Sequence, residues 1–255
     1  MSELIVRAVE AELTFFSITD HDTVRAYGEI PEAACGLHLI PGIELSTCWH
    51  GTDIHVIGLN IAPQSAAMAE AERFQQNQRA QRAQRISAAL QRAGAPDLLA
   101  EACSLAGANA PGRPHFAKCL VNAGVVKDEK QAFKRFLGRS KYGDVPNSWA
   151  DMATVIRWIE DAGGIAVLAH PARYRLSKRR LLALLESFKN AGGRAMEVVS
   201  GRQDPATTGQ LADLSLHFAL LASGGSDFHA PSQTWLQLGL SEPLPKRCTP
   251  VWTAF

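Results

Sequence analysis

Short apolar runs alternate along most of this chain with segments of helical period, and that alternation restricts the fold more than any other feature. Such a pattern makes βα units and a largely parallel sheet, with helices packed on it. Leu13–Thr19, Leu37–Ile40, Ile54–Leu59, Ile165–Ala169 and Leu220–Ser223 read as strands, and Ala195–Val199 is a further one interrupted only by Glu197. Helical patterns cover Glu3–Glu10, Met152–Ala162, Lys178–Ala191 and Pro205–His217. Gly163-Gly164 and Gly192-Gly193 follow two of these, where a left-handed residue closes a helix. Between about Gln64 and Asp144 the strand signal vanishes, and Ala66–Ala93, His115–Ala123 and Glu129–Leu137 read as helices. The expectation is an α/β barrel built from 1–63 and 145–255, with 64–144 inserted as helices. The arginines of Ala66–Ala93 read first as a solvated helix face, and second as a basic lid over an anionic substrate.

At 255 residues such a barrel buries a core without staples. The 26 basic and 25 acidic side chains nearly cancel, so any polyanion-binding surface is local. Cys35, Cys48, Cys103, Cys119 and Cys248 are an odd set with no C-x-x-C pair, which predicts free thiols in a reducing compartment. With no signal pattern at the N-terminus and no apolar run near twenty residues, the cytoplasm is the expected location and no membrane contact is expected.

Position along the strands carries the chemistry. Thr19-Asp20-His21-Asp22 follows the run ending at Ile18, and His170-Pro171 follows Ile165–Ala169. Ser226-Asp227-Phe228-His229 follows Leu220–Ser223 after two glycines, and Glu44 lies just past Leu37–Ile40. In a parallel barrel the residues beyond the C-terminal strand ends meet at one mouth. Imidazole and carboxylate groups gathered there suit Zn²⁺, Mn²⁺ or Fe²⁺. Each piece alone has a plainer reading: a hydrogen-bonded turn for Asp20-His21, a satisfied core histidine for His55, an Asx turn for Asp227-x-His229. Coincidence at four strand ends favours a metal site.

Thr19-Asp20-His21-Asp22, Gly42-Ile43-Glu44, His55-Val56-Ile57-Gly58-Leu59, Ala169-His170-Pro171 and Ser226-Asp227-Phe228-His229 resemble, in order, motifs of the PHP (polymerase and histidinol phosphatase) family. Arg113-Pro114-His115-Phe116-Ala117 resembles a run of its subgroup of 3′,5′-nucleoside bisphosphate phosphatases and 5′-to-3′ exoribonucleases. The resemblance implies a distorted seven-stranded barrel with up to three divalent metals, Mn²⁺ foremost and Zn²⁺ or Fe²⁺ as alternatives. It implies that Glu44 bridges two metals, that His55 and His170 complete the second site, that His21 and His229 serve the third, and that Asp227 serves the first. Asp20, His229 and Arg173 are the implied catalytic groups, with Arg113, His115, Lys141 and Arg173 near substrate phosphates. Asp20 and Glu197 are candidates to orient ligands from behind.

The family opens with a strand ending in His-x-His and a following Asp, and nothing here matches it. The first strand and those ligands are thus expected to be missing, through a late gene start or a real loss, and the chain as written to hydrolyse little. The expected activity is hydrolysis of nucleotide phosphate esters, with a nucleotide or a short RNA as partner and no obligate protein partner. Two alternatives stand beside it: a small-molecule phosphatase of the histidinol-phosphate type, and a non-catalytic metal- or nucleotide-binding paralogue.

Overall fold

The structure is a computed structural model that describes residues 2–28, 30, 37–107, 109–229, 236–239 and 242–255. Two compact units divide the chain, one of residues 1–72 and 150–255 and one of residues 73–149. The first is a mixed α/β assembly. After helix α1 (Ser2–Glu10), strands β1 (Phe15–Phe16) and β2 (His38–Leu39) pair in parallel as a small sheet. A five-stranded sheet follows in the order β3 (Gly42–Trp49), β4 (Thr52–Leu59), β5 (Ile165–Leu168), β6 (Ala195–Ser200), β7 (Leu221–Gly225).

Two expectations need correction. The five-stranded sheet is mixed: β5, β6 and β7 run in parallel, whereas β3–β4 and β4–β5 are antiparallel. The reason is a tight hairpin. His50 and Gly51 both take positive φ (44° and 73°), as a two-residue turn of primed type requires. The run Leu13–Thr19 also yields only a two-residue strand. The Tyr27 hydroxyl lies where the ladder would continue, accepting from Ile18 N at 3.0 Å and Gly42 N at 2.8 Å and donating to Ile18 O at 2.5 Å. Beyond it the backbone pairs again, with Glu44 N on Asp20 O (3.1 Å) and Asp22 N on Glu44 O (2.9 Å).

Helices α6 (Met152–Asp161), α7 (Lys178–Asn190) and α8 (Pro205–His217) begin on Asp151, Ser177 and Asp204, each accepting from a backbone N–H of the first turn. Gly163 and Gly192 close α6 and α7 at φ 79° and 105°. The core of this unit includes Ile43, Leu45, Ile54, Val56, Ile156, Ile159, Leu184 and Phe188, all fully buried or nearly so. These apolar side chains fix the positions of the strands that carry the polar site.

The second unit is helical. Helix α2 (Ala66–Arg92) enters it, followed by α3 (Leu99–Ala106), α4 (Arg113–Asn122) and α5 (Glu129–Ala132), the last continuing as a π turn over Phe133–Leu137. Its own core is Ile86, Leu90, Phe116, Leu120 and Leu137. Among the described residues no helix is long and apolar enough to cross a membrane. Cys48, Cys103, Cys119 and Cys248 are free thiols, and Cys35 lies outside the described residues.

Candidate metal and phosphate site

Glu44 is the centre of the polar site. It stands inside β3, not past a strand end as expected, and its side chain is 7% exposed. Three imidazoles face its carboxylate: His55 Nδ1 at 2.8 Å and His170 Nε2 at 3.0 Å from Oε1, and His21 Nδ1 at 3.6 Å from Oε2. Burial alone would raise the Glu44 pKa. Hydrogen bonds from His170 and His55, with the charge of His21 nearby, outweigh it and hold the group well below the usual carboxylate range. Glu44 is therefore a carboxylate at neutral pH.

Each imidazole is held by a distinct backbone device. His21 sits in the segment that pairs with β3, and the next residue locks it there: buried Asp22, at φ 56°, accepts from Ser46 N (2.7 Å) and Ser46 Oγ (2.9 Å). His55 lies in β4, opposite Ser46, and its backbone N donates to the Tyr174 hydroxyl at 2.9 Å. His170 lies two residues past β5, with φ 28° and ψ 55°, and its N–H donates to Glu197 Oε2 at 2.6 Å. The Tyr174 hydroxyl in turn donates to Ala169 O at 2.8 Å. Asp227 also takes positive φ, 52°. Non-glycine residues at three left-handed positions in one site store backbone strain of the kind that functional sites keep.

The remaining groups complete the mouth. Asp227 pairs with the Arg173 guanidinium, and His229 Nδ1 lies 2.9 Å from Asp227 O. The His21 and His229 rings are 5.8 Å apart. Asp20, His21, Glu44, His170, Glu197, Asp227 and His229 all line one cavity of about 210 Å³. Burial raises the Asp20 pKa, with the charge of His229 opposing. Burial likewise raises Glu197, which His170 partly offsets. Both carboxyls are thus more basic than Glu44, so one cavity holds carboxyl groups of different proton affinity.

The donor set fits a divalent cation. Glu44 Oε1, His55 Nδ1 and His170 Nε2 form a triangle with edges of 2.8, 3.0 and 3.3 Å. Ligand atoms bound at about 2.0–2.2 Å to one ion stand roughly 3.0–3.4 Å apart. Two imidazole nitrogens 3.3 Å apart that also face one carboxylate oxygen hold lone pairs for which hydrogen bonds alone are a poor account. His21, Glu44 and His55 form a second such group, with ligand atoms within 4.8 Å of one another. Glu44 belongs to both.

No family model matches the chain. It is 42% identical over 253 residues to the 5′-3′ exoribonuclease Rnm of Escherichia coli, covering 98% of this chain and 86% of that protein. It is 34% identical to the 3′,5′-nucleoside bisphosphate phosphatase of Chromobacterium violaceum, covering 98% and 89%. The chain belongs to the family of these two enzymes. Its members are hydrolases, and this chain is one of them. An amidohydrolase structure from Chromobacterium violaceum with bound sulfate superposes with a TM-score of 0.87 at 34% identity, covering 98% of this chain and 88% of that one. A phosphoesterase from Bifidobacterium adolescentis, named as metal-dependent, gives 0.72 at 26% identity, covering 99% and 87%.

Arg113, His115 and Lys141 belong to the helical unit. Arg113 opens α4, 3.5 Å from Asp144 Oδ1, and donates to Leu137 O at 3.4 Å. His115 Nδ1 accepts from Gly112 N at 3.0 Å, and burial, then Lys118, lower its pKa. Lys141 is exposed in a turn. Sequence reasoning missed Asp22 and Tyr174. Asp22 was legible in the Asp-His-Asp triplet. Tyr174 was not, because its partners, Ala169 and His55, come together only in the folded sheet.

Proposed function

We propose that this chain is a divalent-metal phosphoesterase of the PHP type, acting on the phosphate esters of a nucleotide or of an RNA 5′ end. The observation that carries this reading is the convergence of His21, His55 and His170 on one buried carboxylate, Glu44. The two sheets are read as parts of one distorted barrel, joined where His21 bridges to Glu44. Glu44, His55 and His170 would hold one ion, with Mn²⁺ the preferred candidate. His21, His229 and Asp227 would hold further ions beside it. A bound divalent ion would supply a water ionised near neutral pH and positive charge against the phosphoryl oxygens.

The rest of the chemistry falls to protein groups. Arg173, in the turn after His170, presents its planar guanidinium at the mouth and pairs the equatorial oxygens of the transferring phosphoryl group. Asp227 holds that guanidinium in place before substrate arrives. Asp20, more basic than an ordinary carboxyl, takes or returns a proton near the leaving oxygen, and His229 shares that role only where its imidazole is not bound to an ion. The family resemblance alone assigns Arg113, His115 and Lys141 to substrate phosphates. The test is phosphate release with Mn²⁺ from a 3′,5′-nucleoside bisphosphate beside histidinol phosphate. Preference for the bisphosphate is expected, and equal or reversed preference overturns the assignment.

A further inference from the structure

The segment that carries His21 is held from outside the sheet. Its backbone pairs with β3 at residues 20–22, and Asp22 is fixed by Ser46, but the chain then leaves through Thr23 and Val24 into a 3-10 turn over Arg25–Gly28. Thr23 and Val24 are buried. Their donors go to a side chain 49 and 48 residues further on: Glu72 Oε1 accepts from Thr23 Oγ1 at 2.7 Å and from Val24 N at 2.9 Å. Thr23 Oγ1 in turn accepts from Arg25 N at 3.3 Å. Glu72 and this segment both belong to the first unit.

Glu72 reaches that segment because the first turns of α2 dock on the core of the unit. Ser65 caps the helix, its Oγ accepting from Met68 N at 3.3 Å. Met68 and Ala71 are fully buried in the core cluster that also holds Val24. Glu72 follows Met68 by four residues, so it lies on the same face as that anchor. A half-buried carboxylate loses hydration there, and an apolar side chain would pack at less cost. Its two partners are neutral, so these contacts recover the loss only through charge-assisted bonds to one short stretch of chain. The arrangement is explained by what that stretch carries. His21 stands two residues before Thr23, with its ring 4.9 Å from that of His55 and its Nδ1 3.6 Å from Glu44 Oε2. Its side chain is 35% exposed, so packing alone fixes the imidazole poorly and its place depends on the backbone that carries it.

We propose that Glu72 is a positioning residue for His21, and through His21 for the ion that this imidazole would hold beside Glu44. The ion of Glu44, His55 and His170 depends on strands that Glu72 does not touch, and is independent of it. The proposal rests on the metal reading above, and its test does not depend on hydrolysis.

The experiment is a calorimetric Mn²⁺ titration of the metal-free full chain in the parent, His21→Ala, Glu72→Ala, Glu72→Gln and Met68→Ala. The parent should bind more than one ion, and His21→Ala identifies the ion that needs His21. Glu72→Ala should weaken that same ion by about 10- to 100-fold, the usual effect of removing a ligand's support, and leave the other unchanged. Glu72→Gln should bind close to the parent, because its amide oxygen still accepts both bonds. Met68→Ala loosens the docking of the same helix and should lower Tm with neither ion affected. Equal weakening of both ions by Glu72→Ala and Met68→Ala would reduce Glu72 to general stability and overturn the proposal. Unchanged binding in Glu72→Ala would overturn it too, with the metal reading left standing. A parent that binds no Mn²⁺, or none that His21→Ala removes, would overturn the metal reading and this proposal with it. Should Glu72→Ala fail to fold, Thr23→Val decides. It deletes one of the two donors at nearly constant volume and should weaken the His21 ion by roughly threefold or more; no change there would overturn the proposal.

Discussion

Replacing Tyr174 by Phe removes one hydroxyl, yet it should damage both the fold and the site. That hydroxyl accepts from His55 N at 2.9 Å and donates to Ala169 O at 2.8 Å, tying β4 to the end of β5. Its pKa lies well above the ordinary tyrosine value, mainly through burial, with the carboxylates of Glu44 and Glu197 adding to the effect. It is thus a neutral donor at any working pH. Phe fills nearly the same volume, so the loss is chiefly that of the two short bonds, with a longer contact to His55 O at 3.4 Å. An orphaned interior N–H or C=O costs about 1–3 kcal/mol, and relief of the hydroxyl's own burial offsets part of it, leaving roughly 2–4 kcal/mol. For a unit of this size that corresponds to a fall in Tm of roughly 4–15 °C. Because the two bonds position His55 and the residue before His170, Mn²⁺ affinity should fall by about 10- to 100-fold, the usual effect of losing a ligand's support. Urea unfolding and a Mn²⁺ titration of parent and variant measure the two effects. A variant within about 0.5 kcal/mol of the parent, with the same affinity, would show that the tie carries nothing.

Other outcomes follow from single side chains. Arg173→Lys keeps the charge but loses the planar fork, and kcat/KM for a nucleotide ester should drop by about 10- to 100-fold; unchanged kinetics would remove Arg173 from the phosphate. Among the described cysteines, exposed Cys103 should be alkylated first. The Cys119 thiol, pushed up to about 11 by burial and then by Glu101, should stay unlabelled until the protein unfolds, as mass spectrometry after mild iodoacetamide treatment will show.

Much of the candidate site was legible because clusters of imidazole and carboxylate groups and turn chemistry use few residue types. His21, His55, His170, Asp227 and His229 stand beside recognisable apolar runs, and helix ends at Gly163 and Gly192 follow from the need for positive φ. Strand β3 was not legible. Its Glu44, Ser46, Thr47 and Cys48 break the apolar signal, yet Glu44, Ser46 and Thr47 are buried by tertiary contacts that periodicity cannot register. The cue that could have found it is the His50-Gly51 turn between Ile43–Trp49 and Thr52–Leu59, a hairpin signature with histidine in the place more often held by Asn or Asp. The shortening of β1 depends on Tyr27, whose hydroxyl reaches the strand from nine residues away.

The proposed metal site has Glu44 as its shared ligand, and removal of that carboxylate tests the proposal most directly. Equilibrium dialysis against Mn²⁺ followed by elemental analysis gives bound metal per chain for the parent and for Glu44→Gln. The parent should retain at least one ion. The variant should lose it, with affinity lower by more than about 100-fold, since even the loss of a supporting group costs 10- to 100-fold. Unchanged metal content in Glu44→Gln, with the fold intact by circular dichroism, would contradict the central claim.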